Sequence, residues 1–91
     1  MITDETIIPR LAPGVKFRFD AVREAWVLLA PEKLYMPDEH AVEVLKLVDG
    51  ECTLAAIING LAVRFNAPRD EIAEDVAVMV RDLADKGALL L

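Results

Sequence analysis

Three chemically versatile residue types are scarce or missing in this chain of 91 residues: it has one cysteine, Cys52, one histidine, His40, and no serine. A lone cysteine excludes an internal disulfide, and with one histidine there is no cluster of zinc-ligand spacing. The usual nucleophiles reduce to Cys52 and the threonines Thr3, Thr6 and Thr53. Long apolar runs are missing too. The longest uncharged one, Cys52 to Val63, is interrupted by Thr53, Asn59 and Gly60, and falls short of the roughly 20 residues of a membrane span. Asp4 and Glu5 stand where a signal peptide carries positive charge. The expectation is a soluble, cytoplasmic protein forming a single domain over residues 1–91, with residues 1–12 flexible or arm-like.

What is present is apolar and acidic. Hydrophobic residues make up 55% of the chain and mean hydropathy is +0.35, which argues for a packed core over a disordered tail. Without disulfide or metal, that core alone must outweigh chain entropy, and at this size the margin is a few kcal/mol. The net charge of −6 is unevenly placed. Up to Pro37, Asp4, Glu5, Asp20, Glu24 and Glu32 are balanced by Arg10, Lys16, Arg18, Arg23 and Lys33, so the whole excess lies beyond it.

The hydrophobic period changes at the same boundary. Val15, Phe17 and Phe19 alternate with Lys16, Arg18 and Asp20, the pattern of a strand with one wet face. Trp26 to Leu29 follows after a short polar stretch and reads as its hairpin partner, central enough to be covered on both faces. Lys33 to Met36 reads as a short edge strand stopped by Pro37. Beyond it come three helices. The first is capped by Asp38, buries Ala41, Val44, Leu45 and Val48, and ends at Asp49-Gly50. The second, capped by Thr53, carries the stripe Leu54, Ile57, Ile58, Leu61, Ala62 and Phe65. The third starts after Pro68 with Asp70 as cap, buries Ile72, Val76, Met79, Val80 and Leu83, and ends at Gly87, after which Ala88 to Leu91 packs back on the core. The fold class is therefore α+β, an N-terminal three-stranded antiparallel sheet followed by a three-helix bundle, similar to a winged helix.

Catalysis finds little support in these residues. Cys52 before a helix cap has two readings, a thiol acidified by the helix N-terminus or a small buried hydrophobe, and the pattern favours the second. His40 lacks partner ligands and reads as a solvated surface residue. Nucleic-acid binding through the third helix is opposed by Glu71, Glu74, Asp75, Asp82 and Asp85, because duplex affinity depends on cations that neutralise phosphates. Peptide binding fits better. Ala73, Ala77 and Ala84 extend the core stripe of that helix along one shoulder, which reads either as close helix packing or as a shallow groove. If the strand Lys33 to Met36 lies beside that shoulder, its unpaired backbone can bond an incoming extended peptide.

The residues also resemble a known family. Pro13-Gly14-Val15-Lys16-Phe17-Arg18-Phe19-Asp20, Trp26-Val27-Leu28-Leu29-Ala30-Pro31-Glu32, Asp49-Gly50 and Leu83-Ala84-Asp85-Lys86-Gly87 are similar to the PqqD family, peptide chaperones of pyrroloquinoline quinone (PQQ) biosynthesis. The resemblance implies a RiPP recognition element without catalytic activity or cofactor. Such a domain binds the precursor peptide PqqA by strand addition and presents it to the radical SAM enzyme PqqE, with no nucleic-acid or membrane partner, as a monomer or weak homodimer. Carried onto this sequence, it implies peptide contacts at Lys33, Leu34, Tyr35 and Met36 on the strand and at Ala73, Val76, Ala77, Val80 and Arg81 on the third helix.

Overall fold

A computed structural model of the chain describes residues 4–91. The elements are β1 (Arg10–Leu11), β2 (Lys16–Asp20), β3 (Ala25–Leu29), β4 (Leu34–Tyr35), α1 (Glu39–Leu45), α2 (Leu54–Phe65), α3 (Arg69–Asp85) and β5 (Leu89–Leu90). Strands β2, β3 and β4 form the expected antiparallel sheet with β3 in the middle. A further pairing was not foreseen: β1 and β5 make a separate two-stranded clasp, Arg10 opposite Leu90 and Leu11 opposite Leu89. Two residues per strand are too few for alternation to register in the sequence.

The core lies between the sheet and the helices. Leu28 from β3 joins Val44 and Leu45 of α1, Leu54, Ile57, Ile58 and Leu61 of α2, Val76, Val80 and Leu83 of α3, and Ala88 and Leu89 of the tail. The tail thus contributes Ala88 and Leu89, while Leu90 and Leu91 remain exposed. The sheet overhangs this layer at its hairpin end. There Phe17 stacks on Trp26 at 4.7 Å, Phe19 meets the same ring edge-on at 5.8 Å, and Lys46 lies over it. Phe19 is consequently 50% exposed although it belongs to the apolar face.

Helix ends follow local chemistry, with three departures from expectation. Asp38 and Thr53 cap as expected, their side chains accepting from the amides of Ala41 and Ala56. Helix α1, however, stops at Leu45. Residues 46–48 tighten into a turn in which the amides of Leu47 and Val48 donate to the carbonyls of Val44 and Leu45, as helix ends often do. Helix α3 begins at Arg69, with Pro68 in the cap position and no side-chain cap; Asp70 lies in the first turn, where its charge suits the dipole without capping. Phe65, placed by its spacing on the buried stripe of α2, is 51% exposed because it is the last residue of the helix. Gly87 ends α3 with φ of +81°, a left-handed conformation that glycine reaches without a Cβ penalty.

The N-terminal segment, expected as loose or arm-like over residues 1–12, is held against the helices; residues 1–3 lie outside the described residues. The amides of Leu54 and Ala55 donate to the carbonyls of Ile7 (2.8 Å) and Glu5 (2.9 Å). With Ala56 bonded to Thr53, this satisfies three of the four orphan donors that a helix N-terminus presents. The strap is fixed further by Arg69, whose guanidinium bonds Glu5 at 2.6 Å and also Asn59. That bond holds the Glu5 carboxyl below its ordinary 4.5. Unfolded chains then bind more protons than folded ones in acid, so the pair's stabilisation is complete above pH 4.5 and is lost as pH falls through the lowered value. Asp4, Asp20 and Asp49 are lowered in the same direction by their own hydrogen bonds. Denaturant midpoints measured from neutral pH to pH 3 should therefore fall in acid, and Arg69→Gln should flatten part of that slope. An identical slope in the variant would assign the acid sensitivity to the aspartates alone.

Candidate functional site

Strand β4 is the edge of the sheet, and among the described residues its outer side has no strand partner. The direction of its backbone groups follows from the corner before it. The Ala30 amide donates to the Lys33 carbonyl at 2.8 Å across Pro31-Glu32, Leu34 then pairs with Leu29 and Tyr35 with Leu28. Bonded and non-bonded pairs alternate in an antiparallel ladder, so Lys33 and Tyr35 bond inward and Leu34 directs its N–H and C=O away from β3. Beside this edge runs a depression of 330 Å³ lined by Tyr35, Met36, Pro37, Asp38 and Ala41 on one side and by Met79, Asp82 and Leu83 of α3 and its C-cap Lys86 on the other, with Leu28 beneath. Its walls are mostly thioether, aromatic and aliphatic, which adapt readily to an incoming apolar side chain. At one end Lys86 bonds Asp82 at 2.8 Å. That bond raises the lysine above its usual 10.5, with a smaller contribution from Tyr35.

The nine residues singled out from the sequence do not form one groove. Tyr35 and Met36 line the depression, and Lys33 and Leu34 are exposed on the edge next to it. Val76 and Val80 are 2% and 0% exposed; they belong to the core and lie beneath the surface. Ala73, Ala77 and Arg81 turn the other way, toward Leu54 and Ile58 of α2, where they line a different cleft. The alanine shoulder and the edge strand are thus on opposite flanks of α3. The residues of α3 and its C-cap that do face β4, Met79, Asp82, Leu83 and Lys86, are spaced i, i+3, i+4, i+7. Of these, Met79 and Leu83 are expected from the sequence as core residues, and nothing in the sequence says which flank of a helix a distant strand will adjoin.

Other candidates resolve as follows. The Cys52 thiol donates to Asp49 at 3.4 Å, and this bond to a carboxylate raises its pKa. This opposes an acidified thiol, the reading the pattern disfavours: Asp49 also accepts from the amides of Glu51 and Cys52, and Cys52 packs partly buried against the core. His40 is exposed on α1. Among the described residues no three histidine, cysteine or carboxylate side chains converge to hold a metal ion, and no helix is long and apolar enough to cross a membrane.

Comparison with known proteins places this geometry. Residues 25–89 match the family described as "Coenzyme PQQ synthesis protein D (PqqD)". A protein of Rhodopseudomonas palustris named "PqqA binding protein" is 52% identical over 85 residues, covering 93% of this chain and 83% of that one. The solution structure of the PqqD truncation of Methylobacterium extorquens PqqCD, described as a functional, stand-alone RiPP recognition element, superposes with a TM-score of 0.82 at 41% identity, covering 99% of this chain and 96% of the other. The same fold recurs in a lasso peptide synthetase B1 chain complexed with a leader peptide, with a TM-score of 0.79 at 18% identity over 93% of this chain and all of that one. The two-layer arrangement of a three-stranded sheet on three helices is therefore the fold of a RiPP recognition element, and the chain belongs to the coenzyme PQQ synthesis protein D (PqqD) family.

Proposed function

We propose that this protein is a non-catalytic peptide chaperone of PQQ biosynthesis, which binds the precursor peptide PqqA at the open edge of β4 and presents it to the radical SAM enzyme PqqE. The observation that carries the binding mode is the outward-facing N–H and C=O of Leu34 beside an apolar depression on α3. An extended peptide added there gains main-chain bonds from the strand and side-chain contacts from Tyr35, Met36, Met79 and Leu83. The "PqqA binding protein" relative, 52% identical, supports the identity of the ligand. Handing a bound peptide to another protein asks for an exposed docking strand and no reactive group, which suits a chain whose only thiol has its pKa raised by the hydrogen bond to Asp49.

Titrating isotope-labelled protein with synthetic PqqA tests this reading. Amide shifts should gather at residues 33–36 and 79–86. Shifts gathered instead on β2 and α2, or spread evenly, would exclude the groove.

A further inference from the structure

The sheet has a second open edge. Among the described residues β2 pairs with β3 alone, so its outer side carries no strand partner. It is longer than β4, five residues against two, and contains neither proline nor glycine. Natural edges are blunted by short length, proline, bulges or charge, because free backbone groups recruit another strand. This one has charge alone, at Lys16, Arg18 and Asp20. Its free groups follow from the ladder. A central strand bonds its two neighbours through alternate residues, and Leu28 bonds Tyr35 on β4. Val27 and Leu29 therefore bond Arg18 and Lys16, their partners on β2, while Phe17 and Phe19 direct their N–H and C=O groups outward. Both rings lie on the apolar face, where Phe19 stands 50% exposed beside Trp26.

We infer that this edge pairs antiparallel with the same edge of a second copy, across a two-fold axis at Arg18. Outward-bonding residues must meet outward-bonding residues, which leaves symmetric registers centred on Phe17, Arg18 or Phe19. Centring on Phe17 sets Lys16 against Arg18, and centring on Phe19 runs Phe17 into the hairpin turn beyond Asp20. Centring on Arg18 pairs all five residues. Phe17 then exchanges hydrogen bonds with Phe19 of the second copy, and the two rings lie side by side, covering the exposed one. Lys16 stands opposite Asp20, whose carboxylate holds Arg23 and keeps acceptor capacity for another cation. Only Arg18 meets its like, which keeps the association weak.

Charge favours this surface over the helices. Up to Pro37 acids and bases cancel, and the whole net charge of −6 lies beyond it. Two copies therefore meet at β2 without the repulsion their helical layers would bring. The product is one continuous sheet of three strands from each copy, with β4 at both outer edges. Both peptide grooves stay open, so the pairing does not depend on the peptide-binding role.

Sedimentation equilibrium of the full chain, run from micromolar to millimolar concentration, tests this. The apparent mass should climb from one chain toward two, and amide shifts that track concentration should gather at residues 16–20. Phe19→Pro removes half of the bonds across the axis and none to β3, and should return the protein to a single chain. Lys16→Asp sets like charges opposite each other on both sides of the axis and should weaken association by about tenfold or more. Arg18→Thr removes the repelling pair and should tighten it by roughly two- to fivefold. Affinity for synthetic PqqA should stay within about twofold in all three, since β2 lies two strands, about 10 Å, from the peptide edge. A single chain at millimolar concentration would overturn the inference. A dimer whose concentration-dependent shifts gather at residues 33–36 would overturn it too, as would one unmoved by Lys16→Asp and Arg18→Thr. Should Phe19→Pro fail to fold, those two substitutions, both at exposed side chains, decide the matter.

Discussion

Leu34→Pro is expected to weaken PqqA binding by about ten- to hundredfold while the domain stays folded. Proline removes one N–H, and at this position that N–H faces away from β3, so no bond of the existing ladder is lost. Edge strands accept proline on their outward side for this reason. The peptide carbonyl that would have received the bond is left buried without a partner, and such a group costs about 1–3 kcal/mol, which at 1.4 kcal/mol per decade is the stated range. The same substitution at Tyr35 removes an inward bond and should instead loosen β4 from β3. Isothermal titration with PqqA, together with a thermal melt, separates the cases. If Leu34→Pro binds normally and melts normally, strand addition at β4 is excluded.

Leu28→Ala is the substitution expected to damage stability most. Leu28 is fully buried in the central strand, with Phe17 opposite it on β2 and Tyr35 opposite it on β4, and it joins the sheet to the helical core. Emptying such a site removes the transfer free energy and leaves a cavity, together about 2–5 kcal/mol. A domain of this size lies at the low end of the usual range of about 5–15 kcal/mol, so the loss takes away a large part of its margin. With a urea dependence of roughly 1–3 kcal/mol per molar, the midpoint should move down by about 2 M. Phe19→Ala is the control. It removes a larger side chain from the same sheet face, but one that is half exposed at the overhang, and it should cost roughly 1 kcal/mol. Equal shifts for the two would mean that the overhanging aromatic cluster carries as much of the fold as the core does.

The sheet and helices were legible because their periods are local properties. Alternation at Lys16–Phe19, the caps at Asp38 and Thr53 and the stripe Leu54–Leu61 each follow from residues within one or two turns. Element ends were less legible. Asp70 has the chemistry of a cap, but Pro68 fixes the backbone two residues earlier, and α1 yields its last turn to a tighter one before Asp49. The clasp of β1 with β5 depends on residues some 80 positions apart, whose pairing no local pattern encodes. The site divides in the same way. The edge strand was visible from its flanking prolines, whereas the α3 residues expected beside it, Ala73, Ala77 and Arg81, line a cleft on another flank of the helix. Helical periodicity says which residues share a face and nothing about the direction from which another element approaches it.

The clasp also constrains the order of events during synthesis. Arg10 and Leu11 leave the ribosome some 80 residues before their strand partners, Leu89 and Leu90. Closing so long a loop is entropically costly compared with forming the β2–β3 hairpin or a helix, and contacts between distant residues slow folding. The hairpin and the helices can begin to form before Leu89 is made, but the clasp must wait until Leu90 has left the ribosome. A peptide that binds only the completed domain would therefore meet no nascent competitor, and a ribosome stalled before Leu89 would present a chain whose first strand is still searching for its mate.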